Sequence, residues 1–193
     1  MSTLDPDNMT CNPKAPPIYL HGFEGAVTGT KGNFITERFG GLGPDMPTYK
    51  HCNDEEGETP WCFEEAFEVA RDFVLSNPCS VLVGSSFGGA ITLALLQRGL
   101  WRGPVVLLAP ASDRYGFYPY LPEGCHALVI HDPEDDVVAY QGSERLKTEN
   151  PERVELWSSD GGHRLHSIVE SGLLERAVNE QLKRAERLRG EGI

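Results

Sequence analysis

Long apolar runs are missing from this 193-residue sequence. None approaches the roughly 20 consecutive apolar residues of a membrane-crossing helix. Residues 1–17 are polar and proline-rich, without the apolar centre of a signal peptide. Basic residues are scarce: 17 Lys and Arg stand against 29 Asp and Glu, a formal charge of -12. A phosphate backbone or an anionic lipid surface is bound by clustered Lys and Arg, so neither nucleic acid nor a membrane is an expected partner. The surplus of acid reads as a source of solubility. Cysteine is sparse. Cys11, Cys52, Cys62, Cys79 and Cys125 are odd in number, scattered, and form no CxxC pair. That argues against a disulfide framework and a zinc site, and for reduced thiols in the cytoplasm. Internal repeats and low-complexity linkers are also absent. With 39% hydrophobic and 24% charged residues, the composition is that of one globular domain with its own core. Residues 1–15 are expected to be a flexible arm and 16–193 the single domain.

Short apolar runs alternate with helical patterns. Strands are expected at Ile18-Tyr19-Leu20 and at 80–83, 104–108, 127–130 and 153–157, with a further short one at 46–49. Helices are expected at 33–39, from a Thr59 cap and Pro60 as far as 77, at 90–97, at 140–148, and from 165 towards 189. This alternation implies an α/β fold: a three-layer sandwich around a mostly parallel sheet of about six strands. Right-handed crossovers bring the loops after the strands to one edge, where open α/β sheets bind ligands.

The chemistry-bearing motifs lie on those loops. Gly84-Ser85-Ser86-Phe87-Gly88 is a G-x-S-x-G that follows a strand and opens an apolar helix. That context puts Ser86 on a tight turn with its hydroxyl projecting, while Gly84 and Gly88 let strand, turn and helix approach closely. A phosphate-binding turn would need a Lys after its glycines or the G-x-G-x-x-G spacing, and neither is present. Ser85 is out of register for a nucleophile. The Phe87 N–H at the helix start can donate to an oxyanion, and Phe23, in the turn His21-Gly22-Phe23, can supply a second N–H.

A serine hydroxyl is a weak nucleophile without a base. The base is expected C-terminal to an acid. His163, in the glycine-rich loop Gly161-Gly162-His163 ahead of the last helix, fits this place, whereas His166 falls within that helix. The acid is expected after the preceding strand, where His131-Asp132-Pro133-Glu134-Asp135-Asp136 crowds four carboxylates. Spacing leaves Asp132, Asp135 and Asp136 open. The cluster lacks the spaced ligands of a calcium loop, and neither a metal nor another cofactor is expected.

Together these segments resemble the α/β-hydrolase superfamily, and within it the small bacterial serine esterases that lack a cap domain. The resemblance runs over nearly all of the chain from Ile18. Tyr19-Leu20-His21-Gly22-Phe23 is similar to the family's oxyanion strand and turn, Gly84 to Gly89 to its nucleophile elbow, and Gly162-His163-Arg164 to its histidine loop. Residues 129–138 resemble the pattern in which a strand ends in His-Gly and the acid comes three residues after that Gly. The resemblance therefore implies Asp135 as the triad acid, with Asp136 turned to solvent. Asp132 stands where the family has Gly, and the chain opens on what resembles the family's third strand. The implied protein is a minimal α/β-hydrolase. It would cleave small carboxylic esters through an acyl-enzyme, with Ser86, Asp135 and His163 as its triad. Thioester or amide hydrolysis would use the same residues, and a non-catalytic ligand-binding protein is the alternative of a different class.

The substrate clue is the loop at 114–120. Its rings Tyr115, Phe117, Tyr118 and Tyr120 are expected to border, with Phe23, one pocket beside Ser86. Packing of the loop onto the body is the competing reading. An open, aromatic-walled site suits short-chain or aryl esters, and such a small molecule is the one partner the sequence suggests.

Overall fold

The computed structural model describes residues 11–47 and 60–190. Five of the apolar runs form strands β1 (Ile18–Leu20), β2 (Leu82–Ser85), β3 (Val105–Leu108), β4 (Ala127–His131) and β5 (Val154–Ser158). All pair in parallel, in the order β1-β2-β3-β4-β5. Successive side chains point to opposite faces, so each strand feeds two cores. Ile18, Leu20, Leu82, Val105, Leu107 and Val129 lie on one face. Tyr19, Val83, Val106, Leu108, Leu128 and Ile130 lie on the other. Burial on both sides is why these strands read as unbroken apolar runs.

Three helices cover the first face: α2 (Pro60–Ser76), α3 (Phe87–Gln97) and α4 (Tyr140–Glu149). The apolar stripe Phe63, Ala66, Phe67, Ala70 and Val74 turns α2 towards the sheet. The second face is covered by α1 (Thr30–Phe39), the single turn α5 (Ser167–Glu170) and α6 (Leu173–Gly190). The expected last helix from 165 is in fact two, because Gly172 takes a left-handed φ of 73° between α5 and α6.

Chain direction explains the two layers. From β2 onwards each strand is laid down on the same side of its predecessor, and right-handed crossovers then put α3 and α4 on one face. The chain leaves β1 the other way. Leu42 forms a single parallel bridge with Ile18 on the flank of β1 opposite β2, and α1, on that path, falls on the opposite face. This reversal makes the carboxyl ends of β1 and β2 a switch point, the place where open α/β sheets hold ligands.

Among the described residues that bridge is the only pairing on the outer flank of β1. The expected strand at 46–49 is not formed within the described residues; 48 and 49 lie outside them. Pro44 and Pro47 have no N–H for a ladder, and Met46 is buried with its N–H donated to His21 Nε2 at 3.0 Å. Residues 11–15 of the expected arm are held against the body, the Asn12 N–H donating to the Cys79 carbonyl at 2.7 Å. Cys11, Cys79 and Cys125 are free thiols. Burial pushes the Cys79 thiol up to about 12, so it behaves as a small apolar group. Among the described residues no helix is long and apolar enough to cross a membrane.

One histidine of the frame carries a pH prediction. His126, at the entry to β4, is half-buried, and its pKa falls from 6.5 to about 4 through burial and the neighbouring Arg184, Arg153 and Arg187. Between those two pH values the unfolded chain binds a proton that the folded chain refuses, so stability declines as pH drops through that window. The Tm should therefore fall from about pH 6.5 to about pH 4, and His126→Gln should flatten part of the loss. An unchanged pH dependence of Tm in that variant would refute this.

Candidate active site

The turn between β2 and α3 is built around close backbone approach. A Cβ on Gly88 would lie 2.1 Å from the Leu20 carbonyl oxygen, and one on Gly84 would lie 2.5 Å from the Gly88 carbonyl oxygen. Only glycine lets the first turn of α3 sit this tightly on β1 and β2. Ser86 itself has φ 53° and ψ -110°, a strained conformation for a residue with a side chain. Three hydrogen bonds hold it there: its N–H donates to the Leu108 carbonyl at 2.8 Å, and its carbonyl accepts from Ala111 at 3.0 Å and Ala90 at 3.1 Å. Ser86 is partly exposed, while Ser85 is buried at the end of β2.

His163 meets that hydroxyl. Ser86 Oγ and His163 Nε2 are 2.9 Å apart, and His163 Nδ1 is 2.8 Å from Asp135 Oδ2. A carboxylate only accepts, so Nδ1 carries the proton and Nε2 is left to accept from the serine. Asp135 is therefore the acidic residue that the structure brings to His163. Its side chain is fully buried, and Oδ1 accepts the N–H groups of Val137 and Val138, each at 2.8 Å. Burial pushes its pKa up, but the Val138 N–H, the His163 ring and the Val137 N–H outweigh this and hold the carboxyl below its ordinary range. Asp136 is exposed, and so is His166, which lies just ahead of α5. Asp132 turns to backbone N–H groups instead of His163.

A second imidazole, which sequence reasoning missed, binds the same carboxylate. His131 Nε2 is 3.0 Å from Asp135 Oδ2 and 3.2 Å from the Val138 carbonyl, and Nδ1 is 2.7 Å from Ser143 Oγ. Two acceptors at Nε2 place the proton there, so Ser143 donates to Nδ1. Burial lowers the His131 pKa against the pull of Asp135. The signal was the place of His131 at the end of a strand, four residues before the acid.

Gly22 brings the β1 turn alongside: a Cβ there would lie 3.4 Å from the Ser85 carbonyl oxygen and 3.5 Å from Ser86 Cβ. The peptide that follows, with the Phe23 N–H, thus borders Ser86. The Phe87 N–H is in the first turn of α3, where helical N–H groups have no intrahelical acceptor. His21 is structural: Nδ1–H donates to the Gly22 carbonyl at 2.9 Å, and Nε2 accepts from Met46.

The aromatic residues divide. Phe87 packs against Phe23 (5.3 Å between centroids), Tyr115 (5.4 Å) and Phe63 (5.9 Å), and Phe117 joins through Phe63 (5.3 Å). Phe63, on α2, was legible only as core. The loop is tied to the acid turn by Arg114, which donates to the Val137 carbonyl at 3.0 Å, and to α4 by an Asp113–Arg145 pair. Tyr118 and Tyr120 do not join the cluster. Their carbonyls accept from Gln97 at the far end of α3, ten residues or about 15 Å along the helix from Phe87, and their rings are exposed.

The sequence matches no protein-family model and no curated protein. Solved structures do match. A protein of Xanthomonas campestris pv. campestris, assigned to the α/β hydrolase superfamily, is 22% identical with a TM-score of 0.66, over 88% of this chain and 97% of that one. A YdeN-like hydrolase from Pectobacterium atrosepticum is 15% identical with a TM-score of 0.64, over 89% and 90%. Est1E from Butyrivibrio proteoclasticus is 16% identical with a TM-score of 0.62, over 91% and 89%, and one of its structures holds ferulic acid. The fold of this chain is the α/β-hydrolase fold, in a form whose described sheet has five strands.

Proposed function

We propose that this chain is a serine hydrolase that cleaves small carboxylic esters through an acyl-enzyme. The observation that carries the reading is the unbroken chain Ser86–His163–Asp135, with links of 2.9 and 2.8 Å, on a strained strand-to-helix turn. His163 Nε2 takes the Ser86 proton as Oγ attacks the ester carbonyl carbon. The carbonyl oxygen becomes an anion and is met by the Phe23 and Phe87 N–H groups, with the α3 dipole behind the latter. His163 returns the proton to the leaving alkoxide, and the ester is now on Ser86. Water repeats the sequence and frees the acid. Asp135 stays ionised throughout, holding the imidazole in its tautomer and stabilising the imidazolium.

The rings of Phe23, Tyr115 and Phe117 favour short or aryl acyl groups. Est1E, which shares the fold, binds ferulic acid. The test is labelling by a fluorophosphonate probe, then turnover of p-nitrophenyl esters of rising chain length. The rate should climb about fourfold per methylene, the worth of about 0.8 kcal/mol of burial, and stop at short chains. Phe117→Ala should move that stop by one or two carbons, and Tyr118→Ala, at the far end of α3, should leave it in place. A chain that is neither labelled nor turns over any ester is a binding protein on this fold, and one whose rate climbs through long-chain lipids has a groove instead of a pocket.

A further inference from the structure

Two residues that belong to neither the proposed triad nor the aromatic cluster grip the loop that carries His163. Asp132 is only 5% exposed. Its Oδ1 accepts the Glu134 N–H at 2.8 Å within the acid turn, and its Oδ2 accepts the Gly162 N–H at 2.6 Å across the sheet edge. On the far side of the histidine, Lys31 Nζ from α1 donates to the Arg164 carbonyl at 2.8 Å. The two bonds straddle His163, one at the Gly161–Gly162 peptide and one at the Arg164–Leu165 peptide.

The segment needs such a grip. Gly161 and Gly162 precede His163 directly, with φ of 100° and 63°. Two consecutive glycines in the left-handed region are the most permissive hinge a chain can have. Nothing in their own geometry fixes where the imidazole points. A buried carboxylate must be satisfied, and each oxygen of Asp132 finds a peptide N–H. One of those lies in the turn that carries Asp135, and the other in the loop that carries His163.

Resting on the reading of His163 as the base, we propose that Asp132 is a positioning residue: it locks the histidine loop to the acid turn and so holds the imidazole between Asp135 and Ser86. Lys31 supports the same loop from α1, by a more exposed bond. Loss of the Asp132 carboxylate frees the Gly161-Gly162 hinge, and a displacement of about 1 Å at a reacting group lowers rate by up to about 100-fold.

The test compares Asp132→Ala and Asp132→Asn with Asp136→Asn, which removes the same charge from the same turn without touching the loop. Two signals are read well below the melting temperature. One is the rate of fluorophosphonate labelling. The other is the far-downfield proton resonance of His163 Nδ1–H, which exists only while the ring is fixed on Asp135. Asp132→Ala should lose or broaden the resonance and label about 10- to 100-fold more slowly. Asp132→Asn, which keeps one acceptor, should fall between that and wild type, and Asp136→Asn should match wild type. A folded Asp132→Ala variant with the wild-type resonance and labelling within about twofold of wild type overturns the proposal. If Asp132→Ala does not fold, the near-isosteric Asn variant decides: a shifted resonance supports the role, an unchanged one refutes it. The resonance does not depend on turnover. A wild-type chain that shows it but neither labels nor hydrolyses esters removes the esterase reading and leaves the resonance to decide on Asp132.

Discussion

Ser86→Ala should lower kcat for p-nitrophenyl acetate by about 10^4- to 10^6-fold, with a change in folding stability below about 1 kcal/mol. The two numbers have separate causes. The hydroxyl is half-exposed on a turn held by backbone hydrogen bonds, so its removal deletes one contact, to His163, and little packing. The proposed chemistry, by contrast, loses the atom that would form the acyl bond. His163→Ala should fall by a similar factor, because a serine hydroxyl without its base is almost as inert as no hydroxyl. The double variant should be little worse than either single one, since members of such a set act as a unit. Steady-state kinetics on the three variants checks this. Losses that multiply would mean that His163 and Ser86 act independently, and would end the triad reading.

Asp135→Asn is expected to lower kcat by about 10^3- to 10^4-fold. The asparagine fills the same space, but its amide nitrogen turned towards His163 would donate to Nδ1 and force the proton onto Nε2, the nitrogen that must accept from Ser86. This variant should also lose stability, by about 1–3 kcal/mol. The carboxylate is fully buried and accepts from His163, His131, Val137 and Val138, and an amide satisfies fewer of those donors. The sign of its pH linkage follows from the same bonds. A carboxyl held below its ordinary pKa adds stability above the unfolded value and loses it as pH falls through the folded one. Wild-type stability should thus fall more steeply with acid than that of Asp135→Asn, and the gap between the two should close as pH drops through the folded pKa of the carboxyl. Asp136→Asn should be silent in both assays, and the reverse pattern would move the acid by one residue.

The meeting of Ser86 and His163 was legible because each sits in a locally written pattern: a serine turn with glycines beside it, and a histidine on a loop after a strand. Asp135 was legible only through a likeness to a known pattern, for four carboxylates in six residues look alike until the fold assigns them partners. His131, Asp132 and Phe63 escaped for a different reason. Their surroundings depend on what they meet: a carboxylate in the same turn, a peptide thirty residues away, a ring from a distant loop. The aromatic loop misled in part because ring count says nothing of direction. Gln97 holds the carbonyls of Tyr118 and Tyr120 at the wrong end of α3. Within the described residues no strand forms at 46 and 47: Pro44 and Pro47 have no N–H for a ladder, and the Met46 N–H serves His21 instead.

The single bridge at Leu42 also bears on how the molecule behaves in a crowd. The outer flank of β1 would otherwise present bare peptide groups to any extended chain that drifts past, the usual seed of edge-to-edge aggregation. Here the Tyr19 N–H is already given to the Leu42 carbonyl and the Pro17 carbonyl to the Leu42 N–H. The segment that makes these bonds continues through Gly43 and Pro44, too short and too poor in donors to be extended by a neighbour. Among the described residues, a flank blunted by one residue and a proline lets so small a sheet stop at β1 without inviting another molecule to continue it.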